Sequence, residues 1–192
     1  MNILRLATWL HEAHTPVWLL APEGSPTAQE ARQFPDLPFA HFASSQKYFN
    51  LRGAYRLAAG LKKKEVKVLV LAQAKDLYLA ALAKSLFYPA LKLVYLQQMW
   101  LGGNKRDLLH TLVYGQLSAW IAPLRVIAES VRQKTRLDPT KIHLIPLCFD
   151  TARFVPGEGA KKRSPAGLAI APGCLFGGAC GGVLTPAKGR NI

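Results

Sequence analysis

Two amides and an indole stand close together in Tyr95-Leu96-Gln97-Gln98-Met99-Trp100, directly after an apolar stretch that reads as a strand. Side-chain amides donate hydrogen bonds to hydroxyl groups and accept them, and an indole covers the apolar face of a ring. In open α/β sheets, ligands bind outside the carboxyl ends of the strands. Gln97, Gln98 and Trp100 are therefore candidates for contact with a hydroxyl-bearing ligand. Other signatures are missing from the sequence: there is no GxGxxG, no Walker loop, no GxSxG and no HExxH. Cys148, Cys174 and Cys180 are odd in number and lack CxxC spacing, which argues against a disulfide framework and against a zinc site.

The elements that must carry these residues follow from apolar periodicity. Ile3, Leu6, Ala7 and Leu10 fall at helical spacing, so residues 2–13 are expected to form an amphipathic helix. Val17 to Leu20 reads as a strand that ends in the turn Ala21-Pro22-Glu23-Gly24-Ser25-Pro26. A short helix over 27–33 and a weak strand over 37–42 follow. Residues 50–61 repeat apolar positions at helical spacing, and Lys62-Lys63-Lys64 sits where cations offset the dipole at a helix C-terminus. Val66 to Leu71 is β-branched and nearly all apolar, which predicts a strand buried on both faces. Helices over 76–87, 106–117 and 124–135 alternate with strands over 91–96, 119–122 and 142–145. This alternation predicts an α/β fold with a doubly wound, mostly parallel, Rossmann-like sheet.

A chain of 192 residues, half of them hydrophobic, can bury a sizeable core. The formal charge of +14 favours phosphate-bearing partners: a diphosphate substrate, an anionic membrane or nucleic acid. No basic stretch is interleaved with aromatics, which counts against nucleic acid. No apolar run reaches the roughly 20 residues needed to span a bilayer. His11, Glu12 and His14 interrupt the N-terminal apolar residues, which argues against a signal peptide. Unpaired cysteines fit a reducing cytoplasm. After Pro156 the composition changes. Residues 157–192 hold nine of the fifteen glycines and no acid beyond Glu158, and no helical or strand period persists. An irregular Gly/Ala/Pro-rich tail is expected there.

The segment KIHLIPLCFDTARFVP, residues 141–156, is the most specific in the chain. Lys141, Ile142, Ile145, Pro146, Asp150, Phe154 and Pro156 stand at the offsets of a pattern written K-I-x-V-I-P-x-G-[IV]-D-x-x-x-F-x-P. That pattern resembles the close of the N-terminal, acceptor-side half of family 4 glycosyltransferases of the GT-B type, and the resemblance covers roughly residues 2–156. It implies a Rossmann-like acceptor-side domain over 1–156 that lacks the family's first strand and its glycine-rich loop. Losing a central strand would leave apolar flanks on its neighbours. It implies that the turn at Gly24 and Ser25 faces the interdomain cleft, and that Gly24, Ser25, Gln97, Gln98, Trp100, Lys105 and Asp107 contact the acceptor. Related enzymes often carry a histidine near Gln98, which this chain does not have. Helix packing is the expectation for His110, and Cys148 stands where the family has glycine.

Residues 182–192 resemble the start of the donor-binding domain, where Lys188 matches a lysine that contacts the donor diphosphate. Val183 and Thr185 replace the partner arginine and the acid. The implied reaction is a retaining transfer of a sugar from a nucleotide-sugar to a hydroxyl of a glycan or lipid-linked acceptor. The nucleotide-sugar acts as substrate and no cofactor is expected. With so little of the donor side present, this chain alone is expected to be an inactive fragment. The rival expectation is a basic, non-enzymatic domain on the inner face of an anionic membrane, using Arg5, Lys62 to Lys64 and Lys105, or on nucleic acid.

Overall fold

The computed structural model describes residues 3–42 and 50–146, all within one unit, Met1–Phe149. The expectations for Cys148, Cys174, Cys180, Asp150, the 157–192 tail and Lys188 lie outside the described residues.

Helix α1 (Ile3–Glu12) buries Leu4, Ala7 and Thr8, one face of a helical repeat. It leads to β1 (Leu19–Ala21), α2 (Pro26–Ala31) and β2 (Phe39–His41). Helix α3 (Leu51–Lys63) is capped by Asn50, whose Oδ1 accepts from Gly53 N–H at 2.7 Å. It buries Ala54, Leu57, Ala58 and Leu61, and its last turn carries Lys62 and Lys63. Then come β3 (Val68–Leu71), α4 (Ala74–Leu86), β4 (Lys92–Leu96), α5 (Leu108–Gly115), β5 (Leu117–Ala122) and α6 (Arg125–Lys134). A 3-10 turn at Pro139–Lys141 feeds β6 (Ile142–Leu144).

Among the described residues, every strand pair is parallel. The fold is α/β and Rossmann-like, as the alternation of strand and helix predicts. The main core gathers Leu77, Leu91, Leu93, Leu117 and Trp120 between β3–β6 and the helices. Ala54, Ala58, Ala80 and Ala83 are almost fully buried, and their small side chains let α3 and α4 pack closely. A bulge between Leu93 and Val94 leaves Ser118 of β5 without a partner in β4.

The sheet is not continuous. Strands β1 and β2 pair with each other, while β3, β4, β5 and β6 form a separate four-stranded sheet in that order. Leu4, Ala7, Leu19, Ala31 and Leu37 make a second, smaller core under the first pair. This corrects one expectation. Strand β3 is not buried on both faces: Val68 is exposed, Leu69 and Val70 are half-buried, and only Leu71 is buried. Among the described residues it is an edge strand, paired with β4 on one side and with no described strand on the other. Its apolar composition matches a central position that the described chain does not provide.

Candidate functional site

The loops that follow the strands' carboxyl ends bring the expected residues to the ends of their strands, where α/β folds bind ligands. In the turn after β1, Gly24 has φ +72°, a conformation that favours glycine. Next to it, Ser25 caps α2 by accepting from Ala28 N–H at 3.2 Å, with Pro26 in the first turn. The pair therefore shapes the turn, and the hydroxyl of Ser25 is engaged with the backbone.

After β4 the chain splits its polar residues between the interior and the surface. Gln97 differs from the expectation of a ligand contact: it is 2% exposed and its amide is engaged at both ends. Trp120 Nε1–H donates to Gln97 Oε1 at 2.8 Å, and Gln97 Nε2 donates to the Met99 carbonyl at 2.9 Å. Burial forces this arrangement, because an indole N–H with no acceptor in the core is costly. Gln97 thus ties the core to the loop. The loop presents Gln98, Met99 and Trp100 outward, with Trp100 57% exposed. Lys134 of α6 holds the same loop from below. Its ammonium donates to the Leu101 and Gly102 carbonyls at 3.2 and 2.9 Å and lies 5.8 Å from the Trp100 ring centre. The Lys105 N–H donates to the Lys134 carbonyl at 2.8 Å, which fixes the backbone of a half-buried residue.

Asp107 closes the loop as the N-cap of α5. Its Oδ1 accepts from His110 N–H at 3.0 Å and its Oδ2 contacts His110 Nδ1 at 2.5 Å. The His110 backbone N–H holds the Asp107 carboxyl below its ordinary range, and the histidine side chain adds to the effect. His110 Nε2 lies 2.9 Å from Tyr78 Oη. Its ring packs edge-on against Tyr78 and Tyr114. Tyr114 and Tyr95 in turn pack edge-on against Trp120, with ring centres 5.1 and 4.8 Å away. Burial, then the neighbouring Tyr78, Tyr95 and Asp107, pushes the Tyr114 hydroxyl well above the usual phenol range. Through the Trp120 N–H donated to Gln97, this aromatic stack is linked to the start of the loop.

One residue of this edge escaped the sequence reading. Asp76 lies in the first turn of α4, just past the end of β3, and burial raises its carboxyl above the ordinary value, against the opposing charge of Lys75. The signal in the sequence was an acid two residues into a helix that follows a strand. The cations named for a membrane face are separated by the topology. Lys62 to Lys64 end α3, just before β3 begins, whereas Lys105 follows the carboxyl end of β4. Among the described residues, no helix is long and apolar enough to cross a membrane.

The sequence model of Glycosyltransferase Family 4 matches residues 2–153. This chain belongs to glycosyltransferase family 4. The match takes in the described residues of both sheets and the loop after β4. Among solved structures, the UDP-GlcNAc 2-epimerase from Methanocaldococcus jannaschii is similar, with a TM-score of 0.51 and 12% sequence identity. The likeness covers 75% of this chain and 42% of that one, so the family 4 chain spans less than half the length of that structure. At such identity the likeness is one of fold. No curated protein matches the chain.

Proposed function

We propose that this domain is the acceptor-binding part of a retaining glycosyltransferase that moves a sugar from a nucleotide-sugar to a hydroxyl of a glycan or lipid-linked acceptor. The observation that carries the reading is membership of family 4 over residues 2–153. In the transfer, the acceptor oxygen bonds to the anomeric carbon as the bond to the diphosphate breaks, and the hydroxyl proton leaves with the diphosphate. The part assigned to this domain is to seat the hydroxyl-bearing partner. Gln98 and Trp100 offer an amide and an indole face to it, on a loop held by Gln97, Lys134 and the Asp107 cap. Lys105 adds a positive charge suited to a phosphate of a lipid-linked acceptor.

The test is binding and turnover by purified 1–192. Acceptor analogues carrying a sugar or a polyprenyl phosphate are expected to quench Trp100 fluorescence, and Trp100→Ala is expected to weaken their binding by about tenfold, the scale of one lost ring contact. Sugar transfer from a nucleotide-sugar by 1–192 is not expected, because the donor diphosphate contact assigned to Lys188 has lost its arginine partner to Val183. Turnover would refute that part of the reading. Acceptor affinity unchanged in Trp100→Ala would refute the assignment of the loop.

One observation also favours a peripheral position on the cytoplasmic face of a membrane. Met99, Leu108 and Leu112 are 81%, 72% and 61% exposed, next in sequence to Lys105 and Arg106. Exposed apolar side chains flanked by cations suit the interface of an anionic bilayer. Co-sedimentation with phosphatidylglycerol vesicles is expected at low salt, with loss in Leu108→Ser/Leu112→Ser. Binding that is indifferent to both the substitutions and salt would refute it.

A further inference from the structure

The loop between β4 and α5, residues 97–107, starts and ends on one cluster of rings. At its start, Gln97 Oε1 accepts from Trp120 Nε1–H at 2.8 Å. Trp120 packs edge-on against Tyr114, with ring centres 5.1 Å apart, and Tyr114 against His110 at 5.5 Å. His110 Nδ1 then returns to Asp107, the last residue of the loop, at 2.5 Å. A chain of five side chains thus bridges the two ends. His110 also reaches beyond it, since its Nε2 lies 2.9 Å from Tyr78 Oη in α4. The first turn of α5 has little apolar anchorage. Leu108 and Leu109 are exposed, as is Leu112 one turn on, and the buried residues of α5 are Val113 and Tyr114 near its far end. A helix of eight residues is too short to be stable by itself, so side-chain contacts decide whether its first turn stays in place. His110 supplies a hydrogen bond from that turn to a neighbouring helix.

We propose that His110 is the positioning residue of this loop. Held as one tautomer between Asp107 and Tyr78, it fixes the closing end of the loop to α4 and so sets where Gln98, Trp100 and Lys105 are presented. What the loop contacts rests on the acceptor-binding reading, and how it is held rests on geometry alone. The tautomer follows from donor and acceptor rules. A carboxylate only accepts, so the proton of the neutral ring sits on Nδ1 and points to Asp107 Oδ2. Nε2 is then an acceptor, and the Tyr78 hydroxyl donates to it. Both bonds run in one direction, from Tyr78 through the ring to the cap. Reversing them would turn a ring lone pair onto the carboxylate. The Asp107 carboxylate is engaged at both oxygens, with Oδ1 on the His110 N–H and Oδ2 on the ring. The Asp107 backbone carbonyl accepts from Thr111 N–H at 3.0 Å. The ring therefore aligns the group that caps α5, and the cap fixes the loop's last residue. His110 acts through Asp107 and not on the transferred atoms.

The test uses purified 1–192 with Tyr78→Phe, His110→Phe and the two together. Each phenylalanine keeps a ring in place and removes only hydrogen bonds, so packing alone predicts little change. Deuterium exchange is read by NMR at the amides of Lys105, His110 and Thr111, which are bonded to the Lys134 carbonyl, the Asp107 side chain and the Asp107 carbonyl. Exchange is expected to quicken about threefold in Tyr78→Phe and about tenfold in His110→Phe, the scale of one and of two lost hydrogen bonds. Tyr78→Phe is expected to add nothing once His110 is replaced. The Ala128 amide in α6 is expected to be unaffected. Nitrogen-15 spectra in alkaline buffer are expected to show the His110 proton on Nδ1, and a shift of Nε2 alone in Tyr78→Phe. Affinity for an acceptor analogue carrying a polyprenyl phosphate, read by tryptophan fluorescence, is expected to fall about threefold or more in each single variant. Unchanged exchange in both single variants, equal quickening at Ala128, a proton on Nε2, or undiminished affinity would each overturn the proposal. The exchange and nitrogen arms need no acceptor. A native chain that binds no analogue therefore refutes the sugar-transfer reading, while those two arms still decide the hold on the loop. Should His110→Phe not fold, His110→Asn replaces it, keeping a donor near the Nδ1 position. It is expected to exchange like Tyr78→Phe, and native exchange in it would overturn the proposal.

Discussion

Replacing Gln97 by leucine tests whether the loop after β4 is held from the core. The substitution keeps the side chain's size but removes the acceptor of the Trp120 N–H and the donor to the Met99 carbonyl. Trp120 is fully buried, so its N–H cannot turn to water, and an orphaned buried donor costs about 1–3 kcal/mol. The Met99 carbonyl lies next to an exposed side chain where water replaces the lost donor, so its share is small. A loss of about 2 kcal/mol is expected, which lowers Tm by about 4–8 °C for a unit of this size. Trp120→Phe removes the other partner and some core volume, at a cost of about 1–3 kcal/mol. In the double substitution no buried donor is stranded, so its cost is expected to fall short of the sum of the two by about 1–2 kcal/mol. Urea unfolding followed by far-ultraviolet circular dichroism measures all four corners of the cycle without relying on the tryptophans. Strict additivity, or a cost below about 0.5 kcal/mol for Gln97→Leu, would refute the role given to this hydrogen bond.

Other consequences are smaller but distinct. Ser25→Ala should lose about 1 kcal/mol from the start of α2, measured by urea unfolding, since it removes the acceptor of the Ala28 N–H. Asp76 and Asp107 should respond to pH with opposite signs. The folded-state pKa of Asp76 is raised by burial, so its neutral form favours folding below the unfolded value near 3.8, and that advantage fades as pH rises through the raised value. Asp76→Asn should therefore be more stable than the native chain at neutral pH and no more stable in acid, as read from Tm against pH. The folded-state pKa of Asp107 is depressed, so its contribution is present above about 3.8 and is lost as pH falls through the lowered value. Asp107→Asn should flatten the acid limb of the same curve. An unchanged limb would mean that the His110 contact is idle.

Most elements were legible in the sequence because their signals are local. The helical spacing of Ala54, Leu57, Ala58 and Leu61 marks α3, and the compact apolar runs mark the strands to within two or three residues at their ends. The family was legible for a similar reason, since residues 141–156 keep a fixed pattern of types at fixed offsets. The burial of Gln97 was not legible. Two adjacent glutamines after a strand look alike, and the one that turns inward is selected by an indole 23 residues further along the chain. Asp76 was missed because burial on a helix's first turn depends on what packs over it.

The sequence by itself determined an alternation of strands and helices, an abundance of positive charge and a place in family 4. Those properties are written in the period, the composition and the order of side chains along one stretch at a time. Only the tertiary structure decided that β3 lies at an edge among the described residues, that a cavity separates it from β1, and that Gln97 braces a loop whose exposed face is Gln98 and Trp100. Each depends on which distant segment fills the space beside a residue. A strand's apolar composition states that it needs cover on both sides, but only packing shows whether that cover has arrived.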